Sequence, residues 1–133
     1  MRHSPLRCLF ILLLPLLAAT AFATPATDPA SGLIGHWSAA DRLPDGREIV
    51  VETTIAADAR FTGLARLAGE TVWTYAGTWQ LEDRRLIWEY VESSKPLPQS
   101  MKTDVDEIIS ASPGALVLRS TRTGKLHTFL RRD

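Results

Sequence analysis

The chain has 133 residues, with 15 Lys+Arg, 15 Asp+Glu and 45% hydrophobic residues. Past an apolar leader, from Thr24 onward, it carries 13 basic against 15 acidic side chains, a net charge of −2. That balance lacks the strongly basic patch of a nucleic-acid binder, and the remaining length suits one hydrophobic core rather than two.

Residues 1–23 have the three parts of a cleaved secretory signal peptide. Arg2 and Arg7 precede the apolar run Leu9 to Ala19, and Ala21-Phe22-Ala23 fits the small-x-small cleavage pattern. A membrane-spanning helix needs about 20 apolar residues; this run is about half as long and contains Pro15. The single cysteine, Cys8, stands before the run and leaves with it. The expected product is a cysteine-free monomer, periplasmic or secreted, with no stable membrane insertion. Thiol nucleophiles, disulfides and cysteine metal sites are then excluded together.

Residues 24–32, with two prolines and small polar side chains, read as a flexible linker before a domain at 33–133. From there short strand-like runs alternate with turns. Gly35 to Ala40 leads to the turn sequence Pro44-Asp45-Gly46. Glu48 to Ala56 alternates cleanly, with Ile49, Val51, Thr53 and Ile55 on one face. Phe61 to Leu67 follows, with Phe61, Gly63, Ala65 and Leu67 on one face. Thr71 to Gln80 then places Trp73, Tyr75, Gly77 and Trp79 together, and Gly77 suggests a bend or bulge. Arg85 to Val91 carries Leu86, Trp88 and Tyr90 on one face. After a long loop, Ser93 to Asp104, come three more runs: Val105 to Ala111, Ala115 to Ser120 and Lys125 to Arg131. The one helical candidate is a single turn within Gln99 to Glu107. Seven or eight short strands joined by tight turns predict an all-β antiparallel meander, closed as a barrel or folded as a sandwich. A meander leaves two exposed edges unless it closes, which favours the barrel.

Two Gly-x-Trp tripeptides, Gly35-His36-Trp37 and Gly77-Thr78-Trp79, stand with Phe129-Leu130-Arg131 at the C-terminus. In these motifs the chain resembles the bacterial lipocalin-like domains of the calycin group, small up-and-down barrels. The resemblance implies that Gly35 and Trp37 close one end of the barrel, with Trp37 packed against Arg131 or Arg132 of the last strand. The chain lacks the lipocalin disulfide and has no room for the long helix before the last strand.

The aromatic set Trp73, Tyr75, Trp79, Trp88 and Tyr90 supports two readings. In one it lines an apolar calyx whose indole N–H and phenol groups bond a ligand's polar end. In the other the rings simply fill a narrow barrel. His36 and His127 lack a nucleophile signature or a metal-ligand spacing. Asp104-Val105-Asp106-Glu107 lacks the spaced oxygen donors of a calcium loop and reads as a solvated loop end. No catalytic residue, metal site or cofactor is indicated, and an enzyme is not expected. The long loop, with Lys95, Leu97 and Met101, suits a lid or a protein-binding loop. Two functions follow: an exported binder of a small apolar or amphipathic ligand, or a cell-envelope inhibitor or immunity-type protein that recognises a protein partner without a cavity.

Overall fold

The computed structural model describes residues 29–133, so the expected signal peptide and residues 24–28 of the expected linker lie outside the described residues. Eight antiparallel strands follow in chain order: β1 (Gly35–Arg42), β2 (Glu48–Ile55), β3 (Arg60–Leu67), β4 (Glu70–Glu82), β5 (Arg85–Ser93), β6 (Thr103–Ala111), β7 (Ala115–Ser120) and β8 (Leu126–Arg131). Each strand pairs with the next and β8 returns to β1, giving a closed up-and-down barrel. Closure solves the edge problem that the meander posed.

Local chemistry sets the hairpins. Ala68 and Gly69 form a two-residue turn between β3 and β4, with φ of 49° and 85°. Positive φ at both central residues gives the turn the twist that matches its strands. Between β1 and β2, Leu43 N donates to the Arg47 carbonyl at 2.8 Å around Pro44-Asp45-Gly46. Register shifts interrupt the ladders at Ala65/Arg66, Ala76/Gly77 and Ile108/Ser110. The second of these is the irregularity expected at Gly77.

Period-2 alternation sends one face of every strand inward. Trp37, Ile55, Phe61, Tyr75, Trp79, Leu86, Trp88, Leu116 and Leu118 make a single buried cluster. Most strand bounds shift by one or two residues from those read in the sequence, and the larger differences lie around the long loop. β5 runs on to Ser93, and β6 starts at Thr103 because Thr103 to Glu107 pairs with Glu89 to Arg85. The helical candidate shrinks to a 3-10 turn, Gln99–Met101. The described end of the linker, Pro29 to Gly32, is ordered into a turn and a 3-10 turn, Ser31–Leu33, which buries Leu33.

Candidate functional site

The barrel has two unlike ends. At the closed end, Leu33 plugs the opening and Trp37 donates its indole N–H to the Leu33 carbonyl at 2.8 Å. The guanidinium of Arg131 lies over the Trp37 ring, 4.2 Å from its centroid. Arg131, not Arg132, therefore occupies the position opposite the opening tryptophan. Its fork donates to the carbonyls of Ile34 at 2.8 Å, Gly32 at 3.0 Å and Pro113 at 2.5 Å. Gly35 is needed here for two reasons: its φ is +144°, and a Cβ would occupy the place of an Arg131 nitrogen. Arg84 also clamps this end, donating to the Ile108 carbonyl at 2.8 Å and the Ile109 carbonyl at 2.9 Å.

The predicted aromatic set is brought together inside the barrel, apart from Trp79. Trp73 and Tyr75 have ring centroids 4.4 Å apart, Trp73 and Tyr90 5.8 Å, and Tyr75 and Tyr90 5.6 Å. Phe61, which the sequence placed only on a core face, joins this cluster and ties Trp88 to it. It meets Trp88 at 4.9 Å, Tyr90 at 5.5 Å and Tyr75 at 6.2 Å. Its position opposite Gly77 on β4 is legible in the sequence only once the register is known. Gly63 opposes Tyr75 and leaves room for its ring, which lies where a Cβ at residue 63 would be. Trp79 stands toward the closed end and touches none of these rings closely enough to form a ring pair.

All four indole N–H groups already have intramolecular acceptors. Besides Trp37, Trp73 donates to Ser93 Oγ at 2.8 Å, Trp79 to the Ala56 carbonyl at 3.0 Å and Trp88 to Asp106 Oδ2 at 2.9 Å. The Tyr75 hydroxyl shares a hydrogen bond with Thr53 Oγ1 at 3.1 Å, and burial raises the Tyr75 and Tyr90 phenols above their usual range. The cavity among Trp37, Ile55, Trp88, Leu116 and Phe129 measures about 20 Å³. That is room for about one water, against the roughly 300 Å³ or more of a small-molecule pocket.

The mouth is the other end. Asp104 and Asp106 belong to β6 and share the face of Leu86 and Trp88, their partners in β5. The expected solvated acidic loop end is thus part of a strand, and Asp106 faces the interior. Burial pushes its carboxyl up to about 6 from 3.8; Asp104 adds to the rise, while the Trp88 N–H, His127 and Arg122 oppose it. Asp104, Asp106 and Ile108 share a face, but two acids at inward positions hid that face in the sequence. Arg122 in the β7–β8 turn lies 3.6 Å from Asp104. His36 is exposed on β1, and His127 pairs with Leu118 near the mouth. Among the described residues no group of three or more His, Cys, Asp or Glu side chains is placed to hold a metal ion.

The long loop spans 94–102 and rises beside the mouth. Leu97 is half-buried, Lys95 is exposed, and Met101 is 41% exposed. Next to it Val91, 73% exposed, is the residue skipped where Gly77 pairs with Tyr90 and Ala76 with Glu92. The bulge turns Val91 outward. The backbone bond from Tyr90 N to the Lys102 carbonyl, 2.8 Å, sets Val91 and Met101 at adjoining positions. Between β4 and the end of β5 a groove of about 310 Å³ is lined by Thr74, Tyr75, Ala76, Glu92, Ser93 and Ser94. No family model matches the chain, and no curated protein is similar to it in sequence.

Proposed function

We propose that this chain is an exported lipocalin-like barrel that recognises a protein partner with its outer surface, as a cell-envelope inhibitor or immunity-type protein does. The observation that carries this reading is the filled interior: closely packed rings, four satisfied indoles and a cavity of about 20 Å³. A small apolar ligand in that space would have to displace packed aromatic rings, each of which contributes several kcal/mol when buried. A rigid barrel instead holds its loops in a fixed shape, which lowers the entropic cost of docking. Val91, Met101 and the groove beside Glu92 form the recognition surface, with the 94–102 loop as its rim.

A photo-crosslinking residue placed at position 101 tests this in cells that export the chain, with position 62, exposed on β3, as the control. The expected result is a discrete protein adduct at 101, absent at 62 and lost when Val91→Lys is added. Equal labelling at both positions, or labelling at 101 that Val91→Lys leaves intact, would contradict the assignment of this surface. Both positions are exposed, so the substitutions should shift stability by no more than about 0.5 kcal/mol.

A further inference from the structure

The β7–β8 turn, residues 121–125, lies on the rim of the mouth and reaches the strands on either side of its own pair. On the β6 side, the Thr121 N–H and hydroxyl both donate to the Val105 carbonyl, at 3.1 and 2.7 Å, and Arg122 lies 3.6 Å from Asp104. On the β1 side, Lys125 lies 3.1 Å from Asp41. Gly124 N closes the turn on the Ser120 carbonyl at 2.8 Å. One short turn thus ties four neighbouring strands, β6, β7, β8 and β1.

Inside this stretch of rim the lumen is ionisable. Asp104 and Asp106 face inward from β6, and Ser120, the β7 partner of Asp106, lies on the same side of the sheet. His127 faces inward from β8, paired with the buried Leu118. The Asp106 carboxyl therefore meets Asp104 on its own strand, the Trp88 N–H on β5, His127 on β8 and Arg122 on the turn. Tyr90, also on β5, lies within electrostatic reach of both carboxylates and Arg122, and Asp41 on β1 within reach of His127. Of the groups around Asp106, Arg122 alone stands on a turn rather than in a strand. Its guanidinium is 39% exposed, and 3.6 Å from Asp104 is longer than the roughly 2.7–2.9 Å of a direct charge-assisted bond. It is not committed to that carboxylate. Two ionised carboxylates on one strand face repel, and a cation between them relieves the repulsion. The planar fork of arginine suits two such acceptors.

We propose that the β7–β8 turn is a proton-sensitive strap. Ionisation of Asp106 draws Arg122 inward to bridge Asp104 and Asp106, holding the turn down on β6, and protonation of Asp106 releases it. The strap works near pH 6, where burial places the ionisation of Asp106. It does not depend on the protein-partner reading.

Hydrogen exchange of the Thr121 amide in the purified chain tests this, since that amide ties the strap to Val105. From about pH 5 to about pH 7, corrected for the intrinsic pH dependence of exchange, its protection should rise by about threefold or more. The rise should vanish in Asp106→Asn and in Arg122→Gln. The Asp106 carboxyl signal in NMR should titrate near pH 6 in the parent and at higher pH in Arg122→Gln, where the bridging cation is gone. A rise that survives in Asp106→Asn but is lost in His127→Gln would make the imidazole the sensor and overturn the proposal. So would level or falling protection in the parent, or an Asp106 midpoint that Arg122→Gln leaves in place. The amides of the β2–β3 ladder are the control. A parallel rise there would assign the change to the whole barrel and likewise overturn the strap.

Discussion

Asp106 is a carboxyl whose surroundings oppose its usual charge. A carboxyl raised from 3.8 to about 6 binds its proton more tightly in the folded than in the unfolded chain. Its contribution to stability is therefore complete below about pH 4 and is lost as pH rises to 6, by up to about 3 kcal/mol. Asp106→Asn keeps an acceptor for the Trp88 N–H and removes the buried charge. The variant should unfold at higher urea than the parent at pH 7.5, with the difference vanishing near pH 4. A loss of stability at pH 7.5 that shrinks toward pH 4 would show that the carboxylate is stabilising instead. Arg131 makes the opposite case, a charge placed where its geometry is used fully. Arg131→Lys keeps the charge but loses the planar fork that reaches three carbonyls and stacks on Trp37. It should cost about 2–3 kcal/mol in chemical denaturation. Arg132→Lys, at an exposed position, should change stability by less than about 0.5 kcal/mol.

At the level of elements, alternation was the legible part of the sequence. Glu48 to Ala56 and Thr71 to Gln80 announce strands because their apolar side chains recur at every second residue. β6 was harder to read, since Asp104 and Asp106 occupy inward positions where alternation calls for apolar residues. A half-buried acid inverts the pattern, and only the pairing with Leu86 and Trp88 reveals its side of the sheet. The β3–β4 turn offers a test of local chemistry. Ala68 holds φ of 49°, a region that costs a residue with a Cβ roughly 1 kcal/mol or more. Ala68→Gly should therefore raise the thermal midpoint, by a gain of about 0.5–1 kcal/mol after the added freedom of the unfolded chain is subtracted. A fall in the midpoint would mean that unfolded-state entropy outweighs the turn strain.

For the whole molecule, the eight strands and their closure follow from turn spacing and from the exposed edges that an open meander would leave. The contents of the barrel did not follow in the same way. Composition alone leaves a lined calyx and a filled one equally open, because Trp73, Tyr75, Trp79, Trp88 and Tyr90 serve both. The decision depends on ring orientation, on Phe61 wedged among three of them, and on the hydrogen-bond partner of each indole. The four indole N–H groups make the filled interior directly observable, since each gives one resolved proton–nitrogen signal. The decisive measurement is an NMR titration of the purified chain with medium- and long-chain fatty acids, following those four signals. The account predicts that all four stay in place up to the solubility of the acids. Saturable shifts at Trp73, Trp79 and Trp88 with one-to-one stoichiometry would contradict it and establish an internal ligand site.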